Sequence, residues 1–253
     1  MAETDTRIDD ARVAAAFLTR LPLPLAHPPG PGRLAQASWA FPIVGLAVGI
    51  TGGLVYGAAY WLGLPPLLAA IFAIAGQIML TGALHEDAAA DVADGLGGGA
   101  TRERKLDLMR DSRIGTFGAL ALISVFTARV VAISALAEAE LVIAALVAAG
   151  AASRATMVAV MAMVAPARSD GLGAQAGRPH TGTVAAALII AVVVSLLALG
   201  TVAGTAGLAG AAIGAGGLTW IAWRQIGGHT GDVLGACQQA AEVLCLAVIV
   251  AVA

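Results

Sequence analysis

The sequence predicts an all-α fold, a polytopic helical bundle in a membrane, and three observations carry that expectation. The 253 residues are 59% apolar before the 32 glycines are counted, whereas an average globular chain reaches roughly 45–50% with glycine included. Charged residues make up 12%, about half the usual ~25%, and mean hydropathy is +0.88. Apolar stretches of near-spanning length recur along the chain, and ~20 residues cross a ~30 Å hydrocarbon core. Strands of outer-membrane barrels would alternate apolar and polar residues instead. Sparse charge and a net charge of −2 exclude disordered, coiled-coil and nucleic-acid-binding classes.

Residues 7–21 read as an amphipathic helix, with Arg7, Arg12 and Arg20 set against Ile8, Val13, Phe17 and Leu21. Such a helix is expected to lie on the membrane surface. Glu3, Asp5, Asp9 and Asp10 stand before only a short apolar stretch, so no secretory leader is expected. Pro22, Pro24, Pro28, Pro29 and Pro31 form a loop. Spans follow at 40–62, 67–84, 114–136, 141–164, 183–199, 207–223 and 233–253, about seven crossings with six or eight as alternatives. The chain reads as one domain over 1–253, with 1–34 cytoplasmic or interfacial and 85–113 a cytoplasmic active-site loop.

Orientation follows from Lys and Arg. Of the 14, Arg7, Arg12, Arg20, Arg33, Arg102, Arg104, Lys105, Arg110, Arg113, Arg168, Arg178 and Arg224 fall on one side of a seven-span chain. The opposite loops hold none, so the N-terminus and 85–113 are expected on the cytoplasmic side. Arg129 and Arg154 lie within spans, and Arg129 is expected to snorkel toward the far surface. Gly45, Gly49, Gly53 and Gly57 recur every four residues, a spacing that admits a closely packed helix. That neighbour is expected within the chain, a second subunit being the alternative. Cys237 and Cys245, eight residues apart on one helix, are ~12 Å apart and too far to bridge.

The densest polar cluster is His85-Glu86-Asp87-Ala88-Ala89-Ala90-Asp91-Val92-Ala93-Asp94-Gly95. Spacings of i, i+4 and i+7 put Asp87, Asp91 and Asp94 within about 60° on one helix face. Neighbours on that face repel by roughly 3 kcal/mol each at an effective dielectric of ~20. A hard divalent cation such as Mg²⁺ relieves this, while a solvated acidic face offset by Arg102, Arg104 and Lys105 is the alternative. Gly95, Gly97, Gly98 and Gly99 follow, either to bring backbone N–H groups to a phosphate or as a plain connector.

Arg110-Asp111-Ser112-Arg113 enters the third span where a helix dipole favours an anion, although positive-inside anchoring alone would also put arginines there. Gly227-Gly228-His229-Thr230-Gly231-Asp232 repeats the theme before the last span, or forms only a turn and N-cap. Arg154 and Glu242 are buried in apolar runs at a cost of ~2.5–3.5 kcal/mol each. They either pair with one another, or Arg154 reaches a phosphate. Together these residues suit Mg²⁺-dependent transfer involving a diphosphate.

Thr81-Gly82-Ala83-Leu84-His85-Glu86-Asp87 with Ala90-Asp91-Val92-Ala93-Asp94-Gly95-Leu96-Gly97-Gly98 resembles the signature of the cobalamin synthase family, the adenosylcobinamide-GDP ribazoletransferases. The resemblance continues through Met109–Gly118, through Phe17-Leu18-Thr19-Arg20-Leu21-Pro22, and through Gly231–Ala236 with Glu242. Ala83 stands where the pattern has Gly, Glu86 where it has Leu, and Ala88-Ala89 where it has Gly-Leu. The resemblance implies an integral membrane enzyme of the last step of nucleotide-loop assembly. It would join adenosylcobinamide-GDP to α-ribazole or its 5′-phosphate, release GMP, and require Mg²⁺. On that basis Asp87, Asp91, Asp94 and Asp232 are expected to hold the metal, and Arg110, Ser112, Arg113, Arg154 and Thr230 to contact phosphate. Glu242 would support them from behind. His85, or a spare carboxylate such as Asp111, would take the ribose proton.

Two rivals stay open at this point. A CDP-alcohol phosphotransferase also uses spaced aspartates, but its Asp-Gly-x-x-Ala-Arg opening is absent where Asp94-Gly95 leads into Leu96-Gly97-Gly98-Gly99. A cation-coupled transporter would use Glu242 and Arg154 at mid-membrane. Membrane lipid is an expected partner and nucleic acid is not. A homo-oligomer or association with other enzymes of the cobalamin pathway is left open.

Overall fold

A computed structural model describes residues 2–25 and 30–253, with side chains from residue 6 onward. Pro28 and Pro29 of the expected loop lie outside the described residues. The elements are helices α1 (Ala2–Leu18), α2 (Arg33–Ala37), α3 (Phe41–Trp61), α4 (Pro66–Thr81), α5 (Leu84–Gly98), α6 (Arg102–Leu108), α7 (Thr116–Leu136), α8 (Ala139–Met163), α9 (Gly171–Gln175), α10 (Thr181–Ile226) and α11 (Gly231–Val252). A single 3₁₀ turn, Ser38–Ala40, leads into α3. Among the described residues there is no strand, only an isolated bridge between Pro166 and His229.

Helices α3, α7, α8, α10 and α11 are long and apolar enough to cross a membrane, and the bent pair α4–α5 makes a sixth candidate. As a straight rod, the 46 residues of α10 would reach ~69 Å, about twice a bilayer core. The helix is broken at Gly200 (φ 72, ψ −175). A side chain on Gly204 would come within 2.7 Å of the Ser195 carbonyl oxygen, so the chain folds back on itself there. The segments 181–199 and 201–226 are therefore two passes, as the sequence expects, and the chain makes seven with α4–α5 counted as one.

The glycine stripe of α3 packs within the chain. A Cβ on Gly45 or Gly49 would collide with the backbone of Gly150 or Leu146, and one on Gly53 with Ile143. The order of these contacts makes α3 and α8 antiparallel, and Gly207, Gly210 and Gly214 do the same for α10 against α11. Cys237 and Cys245 are buried free thiols on α11.

Two expectations are corrected. The N-terminal helix stops at Leu18, short of the expected residue 21, and buries Val13, Ala14 and Leu18 against protein. Arg33 pairs with Asp9 at 2.7 Å and with Asp10, and Trp39 donates to Asp10 at 3.0 Å, which ties α1 to α2. Nor is 85–113 a loop. The chain bends by 91° after α4, through Gly82 (φ 69) and Ala83 (φ 60), and α5 then packs between α7 and α11. Gly95, Gly97 and Gly98 are helical. Met109, Phe117 and Leu108 pack where Cβ atoms on these three glycines would sit.

Candidate active site

The bend sends α5 into the bundle, and a second close approach brings α11 against it. A Cβ on Gly235 would sit 2.6 Å from that of Ala88, so only glycine lets these helices touch. Asp87 and Asp232 consequently line one cavity of about 250 Å³ together with His85, Arg168, Met157 and Leu172. Asp91 lies within electrostatic reach of Asp87, Asp232 and Asp94. His85 is buried, and its Nε2 has no hydrogen-bond partner.

The entry to α11 is held from both sides. Thr230 caps the helix, its hydroxyl accepting from Val233 N–H and donating to Asp232, both at 3.2 Å. The preceding loop pairs with 165–167 through His229 N–H to the Ala165 carbonyl (3.0 Å) and Ala167 N–H to the His229 carbonyl (2.8 Å). Arg102 binds the Ile226 carbonyl at 2.9 Å and the Ala167 carbonyl. Burial pushes the His229 imidazole below its ordinary range, so it is neutral near pH 7. Thr230 is thus occupied as an N-cap, the plainer of its two sequence readings.

Asp94 has an engagement that spacing alone did not reveal. Its two oxygens accept the N–H groups of Gly115 (2.7 Å) and Gly118 (2.8 Å) at the start of α7. Helix N-termini carry unpaired donors and partial positive charge. The anion expected there is a carboxylate of the chain itself.

The arginines divide among several partners. Arg113 grips Asp111 through Nη2 (2.6 Å) and Nε (3.0 Å), which holds that carboxyl down at about 2. Arg110 contacts both oxygens of Asp170 at 2.6 Å and holds that carboxyl below its usual range. Ser112 is exposed beside them. Arg168, which the sequence counted only as a loop charge, lies 3.7 Å from Asp232 and 3.9 Å from Asp170. It is the cation on the rim of the carboxylate cavity, and only the folding of 165–170 onto 227–232 reveals it.

Arg129 does not snorkel. It is 2% exposed and binds Glu86 at 2.9 Å, Glu242 at 2.8 Å and Gln77 at 2.7 Å. Those partners come from α5, α11 and α4. Gln239 donates to Glu86 at 3.2 Å, and Gln238 donates to Ser153 on α8 at 3.0 Å and to Glu242. Glu242 therefore pairs with Arg129 and not with Arg154. Arg154 is buried, donates to the Gly150 carbonyl at 3.3 Å and leaves Nε unpartnered. This belt joins both arms of the α4–α5 bend to α7, α8 and α11.

Among the described residues no three His, Cys, Asp or Glu side chains form a ready-made metal cage. A Mg²⁺ ion needs none, because it keeps several waters and binds through one or two carboxylates plus substrate phosphates. Asp87 and Asp232, with Asp91 in electrostatic reach, offer hard oxygen donors of the kind such an ion could bind.

A sequence model described as cobalamin-5-phosphate synthase matches residues 10–250. An adenosylcobinamide-GDP ribazoletransferase of Bradyrhizobium diazoefficiens is 50% identical over 243 residues, covering 95% of this chain and 93% of the relative. Proteins of the same description from Mesorhizobium japonicum (45% identical, covering 95% of this chain and 92% of the relative) and Rhizobium etli (39%, covering 96% of each) are similar along almost their whole length. No solved structure matches the chain.

Proposed function

The chain belongs to the cobalamin-5-phosphate synthase family, and from that premise we propose how its residues carry out the last step of nucleotide-loop assembly. It transfers the cobinamide-phosphate group of adenosylcobinamide-GDP to α-ribazole or its 5′-phosphate and releases GMP. A ribose hydroxyl oxygen attacks the phosphorus that carries cobinamide, the P–O bond to GMP breaks, and the hydroxyl proton passes to a base. Catalysis of such a step is mostly positioning and charge neutralisation.

The observation that carries the assignment is one cavity lined by carboxylates of two helices, Asp87 from α5 and Asp232 from α11, with Arg168 and His85. We assign Asp87, Asp91 and Asp232 to holding Mg²⁺ against the diphosphate. When bound, that ion would neutralise phosphate oxygens and steady the departing GMP. Asp94, with both oxygens on the start of α7, sets the position of α5 against α7. Arg168 meets phosphate directly. Arg110 and Arg113 would have to exchange Asp170 and Asp111 for it, which their exposed, charge-assisted pairs permit. His85, which lines the same cavity and whose buried Nε2 has no hydrogen-bond partner, receives the ribose proton. Glu242 acts from behind the cavity through the buried belt, and Arg154 is held apart from it on the Gly150 carbonyl of its own helix.

Twelve of the 14 basic residues fall at the end of the bundle that holds the cavity. We therefore propose that this end faces the cytoplasm of a bacterial inner membrane. The test is to incubate purified protein with adenosylcobinamide-GDP, α-ribazole and Mg²⁺, with and without a chelator. GMP and a cobalamin product should form only while the metal is present. Folded protein that yields neither overturns the assignment, and turnover indifferent to the chelator overturns the metal.

A further inference from the structure

Beside the carboxylate cavity lies a second space of about 310 Å³, between α1, α2 and α9. Phe17 and Leu172 line both, so the two share a wall. Val13 and Leu34 make the new space largely apolar, and among the described residues Gln175 supplies its one polar side chain. Its frame is stitched by Gly32 N–H to the Gln175 carbonyl (2.8 Å) and Ala35 N–H to the Ala176 carbonyl (2.9 Å).

Three organic groups have to be seated near the diphosphate, and their chemistries differ. Guanine carries donors and acceptors along two edges, and an apolar wall would leave most of them unpaired at a cost for each. A corrin ring fringed with carboxamides is too large and too polar for such a space. The base of ribazole is a benzimidazole bearing two methyl groups: bicyclic, uncharged and apolar, with one ring nitrogen left to accept a hydrogen bond. Pockets for such ligands are mostly apolar with a few placed polar groups, which describes this one.

We propose that the α1–α2–α9 cavity holds the base of the acceptor. The Gln175 amide donates to the free ring nitrogen, and the ribose crosses the Phe17–Leu172 wall toward Asp87 and Asp232. The inference rests on the transferase reading above and adds where, and by what chemistry, the acceptor is selected.

The experiment is steady-state kinetics with each substrate varied in turn. With wild-type protein, free 5,6-dimethylbenzimidazole should inhibit competitively against α-ribazole and not against adenosylcobinamide-GDP. Ala16→Phe, which fills the cavity, should raise the KM for α-ribazole tenfold or more while the donor KM stays within twofold. Gln175→Leu should raise the acceptor KM about fivefold. Free base that fails to compete with α-ribazole, or an Ala16→Phe variant whose donor KM rises instead, overturns the proposal. The wild-type competition decides the matter if a variant does not fold. Wild-type protein that forms no GMP would defeat the transferase reading itself, whereas turnover without competition removes only the acceptor site.

Discussion

Replacing Arg129 with Met removes the hub of the buried belt and leaves Glu86 and Glu242, whose side chains are 14% and 5% exposed, without their cation. Breaking a buried ion pair by removing one partner costs about 3–5 kcal/mol, because the remaining charge stays desolvated. For a chain of this size each kcal/mol moves the unfolding midpoint by roughly 2–4 °C. The expected loss is therefore about 6–20 °C by thermal unfolding in a fixed detergent. Arg129→Lys keeps the charge but not the fork that meets three acceptors, and should fall between the two. Adding Glu86→Gln and Glu242→Gln to Arg129→Met removes the stranded charges and should recover most of the midpoint, since an uncharged replacement is often close to neutral. A midpoint for Arg129→Met within 2 °C of wild type refutes the reasoning, as does a triple variant no more stable than the single one.

Other outcomes follow from the same structure. Asp94→Ala should cost about 0.5–2 kcal/mol, as loss of a helix cap does, and lower turnover far less than Asp87→Asn; unfolding and GMP release measured side by side check this. Gly235→Ala places a methyl 2.6 Å from Ala88 Cβ, so turnover should fall by an order of magnitude or more while overpacking costs only about 1–3 kcal/mol. Ala83 holds a left-handed conformation that costs an L-residue roughly 1–2 kcal/mol; Ala83→Gly should raise stability by up to about 1 kcal/mol once the looser unfolded chain is counted, read as a higher midpoint. Asp111, held at about 2 by Arg113, should keep its pair as pH falls through the ordinary aspartate range and lose it only near pH 2. In Arg113→Gln its carboxyl should titrate in the ordinary range, which carboxyl NMR would show.

The parts of the molecule legible from sequence are those whose physics is local. Apolar runs located the crossings, including both halves of α10, because burial in lipid demands continuous apolar length. The four-residue glycine period announced the α3–α8 contact, and i, i+4, i+7 spacing put the aspartates of α5 on one face. What sequence did not show depends on partners far along the chain. Arg129 meets Glu86 and Glu242, 43 and 113 residues away, and nothing beside it distinguishes a hub from a snorkelling arginine. Asp94 matches the metal stripe by spacing, but its two oxygens answer amides of α7. Arg168 borders the site only because 165–170 folds over the start of α11. The 91° bend hid α5, since a polar, glycine-ended stretch following a span reads as a loop. Ala83 at the bend, where the family pattern has Gly, was the available clue that a positive φ occurs there.

The most direct test titrates Mg²⁺ against the rate of GMP release in wild-type, Asp87→Asn and Asp232→Asn proteins of equal thermal stability. Carboxylates from α5 and α11 acting together on one ion predict that both substitutions cut turnover by about 10²-fold or more and shift half-activation to higher Mg²⁺, on the scale of losing one positioned electrostatic group. Half-activation left at the wild-type concentration with turnover retained in either variant would contradict the account.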